Sequence, residues 1–212
     1  AFASYLVLFE FGTGTVMTRN LSMCFGRNAP RDEIERNVST IWTITNALAV
    51  AIAIVSIGFF CSMGSIYSKT MTEAQIEYGK KIFAIMTVFL VVSFYTQTVN
   101  GIILACEKYT FSSAVSTVKI VLRTTLLIAL ISAFRYSVII AIVDAALSVF
   151  IAVFTYFFCL RKCSIRPSLK HFDKSVFRAA LPLCLAIFMQ TIVNQANNNV
   201  DKFLIGIMMS PE

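Results

Sequence analysis

Charge is what this sequence has least of: 14% of its 212 residues are Asp, Glu, Lys or Arg, while 58% are apolar. Soluble domains average about 25% charged and 45–50% apolar, so a water-soluble fold of this length lacks the polar side chains to cover it. The shortage extends from end to end. Histidine is nearly missing too, with His171 alone, and the six cysteines (Cys24, Cys61, Cys106, Cys159, Cys163, Cys184) are scattered. No cysteine pair has zinc-ligand spacing with a second pair or with histidines, which leaves free thiols, buried or lipid-facing. There is no Walker loop, nucleophile elbow or His/acid metal cluster, so neither an enzyme nor a cofactor is expected. A basic segment ahead of the first apolar stretch is also lacking, with no small-residue cleavage site after it, which argues against a signal peptide. The sequence starts without Met inside one apolar stretch and stops just after another. A piece of a longer protein, truncated at both ends, is the expectation.

What the chain does have is long apolar runs. Segments 41–61 and 82–106 carry no charge, and 136–160 carries only Asp144. Segment 179–209 has a polar cluster in its second half, 111–134 is apolar except for Lys119 and Arg123, and 1–18 contains Glu10. A helix crossing the hydrocarbon core needs roughly 20 residues. The fold class expected is all-α, a polytopic membrane bundle of about six transmembrane helices.

Basic residues orient it. Alternate loops hold Arg19, Arg27, Arg31 and Arg36, then Lys108, then Arg161, Lys162, Arg166, Lys170, Lys174 and Arg178. The opposite loops hold Lys69, Lys80, Lys81 and Arg135. The positive-inside rule makes the first set cytoplasmic. The net charge of +7 is then mostly topology, and no base-stacking or groove-reading element points to nucleic acid. The basic loop 161–178 ends in an amphipathic stretch, 169–177, that either lies on anionic headgroups or is a solvated connector.

Polar residues inside the apolar runs mark candidate function, because a charge at mid-bilayer costs on the order of 2.5–3.5 kcal/mol on insertion scales. At about 100° per residue, Ser112, Ser116, Lys119 and Arg123 fall in one stripe. So do Ser137, Asp144, Ser148 and Thr155; Ser39, Thr43 and Asn46; and Ser93, Gln97 and Asn100. One stripe serves as helix–helix glue; stripes on nearly every helix point to a shared wet interior. In the last span Gln190, Asn194, Asn197 and Asp201 share a face with Asn198 at its edge, and Gln195, Asn199 and Lys202 widen it. Its amides favour a bend or local unwinding, with Pro182 adding a kink. Asn194, Asn197, Asn198 and Asp201 are expected to line the same cavity as Arg123, unless this segment is the hydrated end of its helix.

Three stretches resemble the polysaccharide or O-antigen flippases of the MATE-like exporter superfamily. FEFGTGTVMTRNLS (9–22) resembles the end of that family's second helix, where a Gly-rich turn precedes a polar "TR" segment. RDEIERNVST (31–40) resembles the charged lead into its third helix, and NNNVDKFLIG (197–206) a motif in the first helix of its second half. The resemblance covers the chain as helices two to seven, with 1–178 as most of an N-terminal lobe and 179–212 as the first helix of a C-terminal lobe. It implies alternating access around a central cavity in the inner (plasma) membrane. The implied cargo is a lipid-linked oligosaccharide on undecaprenyl diphosphate, with membrane lipids and polysaccharide assembly proteins as further partners. Lys119 and Arg123, one turn apart, suit the oxygens of a diphosphate, with snorkelling to the headgroups as the alternative. A Na⁺- or H⁺-coupled multidrug or cation exporter of the MATE type is the rival reading, with Glu10 and Asp144 as its ion-coupling candidates. A non-transporting membrane scaffold is a third, and it needs no interior polar stripes.

Overall fold

The structure is a computed structural model that describes residues 12–67, 72–133, 138–163, 165, 169 and 171–208, with backbone alone for 65–67, 74, 131–133, 138–141 and 198–208. All regular structure among the described residues is helical: α1 (Thr13–Gly26), α2 (Arg31–Tyr67), α3 (Glu73–Ala105), α4 (Tyr109–Ala133), α5 (Val138–Lys162) and α6 (Lys174–Met208). Five of these, α2 to α6, are long and apolar enough to cross a membrane. The physical reason is that a helix alone among open structures satisfies all its backbone groups in lipid. The sixth expected span, 1–18, lies mostly outside the described residues, as does Glu10. What is described there is α1, which runs on to Gly26 and takes in Thr18 and Arg19.

The helices alternate in direction, and several contacts hold the ends of α1, α3 and α5 beside the starts of α2, α4 and α6. Asn37 donates to the Cys24 sulfur at 3.6 Å. The rings of Phe111 and Phe158 stack with centroids 3.4 Å apart. Ahead of α6, the backbone N–H groups of His171 and Asp173 donate to the hydroxyls of Ser39 and Thr40, each at 3.0 Å. Asp173 then caps α6, accepting from the Ser175 N–H at 2.7 Å, and the Ser175 hydroxyl on the same carboxylate holds it below the usual range. Lys174 to Phe177 therefore open the α6 helix itself, so this part of the 169–177 stretch is not a separate interfacial helix. The basic loops of the sequence thus gather at one end of the bundle.

The core sits at this basic end. Val16, Met17 and Leu21 of α1 have no exposure at all and pack with Val38, Ile41, Ile102, Ile103, Cys159 and Ala180 from four other helices. Close approach makes this possible where α1 meets α3. A Cβ on Gly14 would lie 2.7 Å from the Gln97 carbonyl oxygen, and one on Gly101 would run into the carbonyl of Gly14. Small residues at such crossings are how helices pack tightly in lipid. Gly12 precedes α1 with φ +61° and abuts Ile187, a left-handed turn that glycine adopts without strain. Gly101→Ala is expected to lower stability by about 1–3 kcal/mol through overpacking, read as a lower melting temperature in detergent. Gly58→Ala, with open space around it, is the matched control and should not lower it.

Away from the core the helices present bare apolar faces. Ile54, Val55 and Ile57 of α2 and Val118, Ile120 and Ile128 of α4 are all about 60% exposed or more, an exposure that lipid and not water suits. No described residue in the α4 span is buried.

Candidate functional site

Three of the polar stripes meet. Ser93, Gln97 and Asn100 of α3, Ser112, Ser116 and Lys119 of α4, and Ser148 and Thr155 of α5 line one cavity of about 130 Å³, together with Thr96, Val115 and Ile151. That is room for about four waters at their liquid volume of ~30 Å³ each. α5 packs extensively on α3, and α4 packs on α5 while touching α3 only lightly; the light contact leaves the space. Thr96 lies one turn from Ser93 and Asn100, so its sequence spacing already marked it.

Lys119 is the only charged residue among the described lining. α4 begins at Tyr109, which puts Lys119 about 15 Å along the axis from that end. No ion pair joins it to another described residue. Asn100 accepts from the Ser112 hydroxyl at 2.8 Å, tying α3 to α4 at the cavity's basic side. The Ser148 and Thr155 hydroxyls are buried and have no hydrogen-bond partner among the described residues. Losing a hydroxyl costs about 1–3 kcal/mol where a buried partner is left unmet; Ser148 and Thr155 face the cavity and bond no other described residue, so Ser148→Ala and Thr155→Val should leave melting temperature near that of the wild type. Thr98→Val should lower it, because Thr98 holds Thr13 (3.1 Å) and Thr45 (3.0 Å) in a buried hydroxyl chain. Thermal unfolding of the three variants side by side checks both outcomes.

Arg123 sits one turn beyond Lys119 but does not line the cavity. It forms a bidentate ion pair with Asp144, Nε to Oδ1 at 2.6 Å and an Nη to Oδ2 at 2.7 Å. Two residues that the sequence put in separate roles, cargo binding and ion coupling, are joined across α4 and α5. Periodicity along one helix carries no signal for a pairing between two.

The α2 stripe serves packing. On α2, Ser39 holds the segment before α6, Thr43 bonds back to its own helix, and Asn46 accepts from the Tyr95 hydroxyl at 2.9 Å. α6 contributes no described residue to the cavity; it packs on α1 and α2. Asn194 and Asn197 are exposed and not part of the cavity lining, and the side chains of Asn198 and Asp201 lie outside the described ones. The expected unwinding is absent: α6 is helical through the whole amide-rich segment, Pro182 included. In lipid, unwinding would strand backbone groups, a larger penalty than the poor helix propensity of asparagine.

The thiols form no disulfide. The Cys106 thiol, hydrogen-bonded to Cys163 and partly buried, is pushed well above the ordinary thiol range, which makes it a poor nucleophile. No cluster of three or more metal-ligating side chains occurs among the described residues.

The fold and cavity define a class: a multi-pass helical membrane protein with a polar, cationic pocket inside its bundle. A family model described as polysaccharide biosynthesis protein matches residues 4–212, and the chain belongs to that family. No curated protein and no solved structure matches it. The family and the membrane-helical fold point to a transporter rather than an enzyme.

Proposed function

We propose that this chain is part of a flippase that carries a lipid-linked oligosaccharide across the inner membrane by alternating access, engaging the cargo's diphosphate at Lys119. The observation that carries this reading is a lysine within a membrane span that has no ion-pair partner among the described residues and lines a cavity walled by hydroxyls and amides. A fixed cation in a low-dielectric span attracts an anion strongly, and the surrounding hydroxyl and amide donors suit its oxygens. The residues 1–178 form most of one lobe, and those from 179 open a second that completes the cavity. Because α6 begins at Lys174, that boundary falls within the first turns of a helix. Asn194, Asn197, Asn198 and Asp201 belong to the second lobe's wall and meet the cargo from that side. The rival MATE-type cation exporter draws no support from the described lining, which holds a cation and no carboxylate.

The test uses the full-length protein in sealed vesicles with a fluorescent polyprenyl-diphosphate oligosaccharide. Vesicles with protein should let an impermeant quencher in the outer medium reach nearly all the label, while empty vesicles expose only the outer leaflet. Equal quenching in both, under every ion gradient tried, would overturn the reading.

A further inference from the structure

A second site lies on the outer face of α5, away from the cavity. Phe150, Val153, Phe154 and Phe157 form an apolar groove of about 490 Å³ that ends at Arg161 and Lys162. Phe150 and Phe157 are 65% and 58% exposed, so no described residue covers the groove. Its wall is fixed in place, because Phe111 of α4 stacks on Phe158 and lies 5.8 Å from Phe154 between ring centroids. The opposite face of α5 bears Ser148, Ile151 and Thr155, which line the cavity. The two sites therefore lie on different sides of one helix.

The groove's dimensions and charge point to its occupant. From Phe150 to Arg161 the helix rises about 16 Å, roughly half of a ~30 Å hydrocarbon core. The apolar part thus spans one leaflet, and the two cations stand where that leaflet's headgroups begin. We infer that this groove binds an anionic glycerophospholipid of the leaflet at the basic end. An acyl chain lies along the phenylalanines, and the headgroup phosphate is held by Arg161 and Lys162. Arg161 supplies a planar fork for two phosphate oxygens and Lys162 a point charge. Cations also favour a helix C-terminus without any lipid, and that role alone predicts no preference among lipids.

The probe is an equimolar mixture of phosphatidylglycerol and phosphatidylcholine, offered to the full-length protein in detergent, with retained lipid counted by native mass spectrometry. The wild type should retain phosphatidylglycerol preferentially. Two headgroup-level cations together change affinity on the order of 30-fold, and Arg161→Gln/Lys162→Gln should lose about that much of the preference. Val153→Trp fills the groove without altering charge and should lower retention as well. Lys119→Ala should leave retention intact, which separates this site from the cargo cavity. Equal retention of the two lipids by the wild type, or an undiminished preference in the double glutamine variant, overturns the site. Retention undisturbed by Val153→Trp overturns the groove and leaves only a headgroup contact.

Discussion

Replacing Lys119 with alanine is expected to abolish polysaccharide export by the full-length protein while leaving its abundance in the membrane normal or higher. The two halves of that outcome have separate causes. Export fails because the one charge facing the described cavity is gone, and hydroxyls and amides alone do not offset the cost of bringing a diphosphate into a low-dielectric span. Abundance holds because Lys119 makes no ion pair to another described residue, and removing a charge from a membrane span relieves an insertion cost of up to about 2.5–3.5 kcal/mol. Lys119→Arg keeps the charge but changes its reach and geometry, so export should fall only partly. Surface polysaccharide measured beside immunoblotted protein reads both halves. Normal export by the alanine variant would remove Lys119 from the mechanism.

Breaking the Arg123–Asp144 pair should have the opposite signature, with protein lost before function can be judged. Either residue alone leaves a charge in the span with no partner, and truncating one member of a buried pair costs about 3–5 kcal/mol. Arg123 is about half exposed and Asp144 about a quarter, so the loss should fall below that range. Arg123→Ala and Asp144→Ala should both reduce folded protein, seen as lower melting temperature and weaker monodisperse recovery in detergent. Exchanging the two, Arg123→Asp with Asp144→Arg, should recover most of that loss, because the pair reforms with its ends reversed. Arg123→Lys should recover only part, since a point charge cannot make both bonds of the fork. If the exchange variant is no more stable than the singles, the pair does not hold α4 to α5.

How much of this could be read from residues alone depends on the kind of signal. The stripes of α3, α4 and α5 were visible, because helical periodicity places Ser93 with Gln97, Ser112 with Lys119 and Ser148 with Thr155 whatever surrounds them. The stripes of α2 and α6 are as regular, yet none of their described side chains lines this cavity. Asn46 is taken up by Tyr95, and the described part of the α6 face lies exposed beyond the helix's contacts with α1 and α2. A periodic pattern states that a face is polar and is silent about what it faces. The groove on α5 was hidden for the same reason. Phe150, Phe154 and Phe157 appear in sequence as ordinary lipid-facing bulk, and only the stacking of Phe111 and the position of Arg161 distinguish them.

By itself, the sequence determined that this protein is helical and lives in a bilayer, and which loops lie together at one end. Those properties follow from solvent preference and backbone hydrogen bonding, which act residue by residue along each segment. Only the tertiary structure decided which polar faces meet, that Arg123 is bound to Asp144 while Lys119 has no ion-pair partner among the described residues, and that no described α6 side chain lines the cavity. Those outcomes depend on helix-to-helix distances set by such contacts as Gly14 against Gly101, and no one-dimensional pattern encodes a distance between two helices.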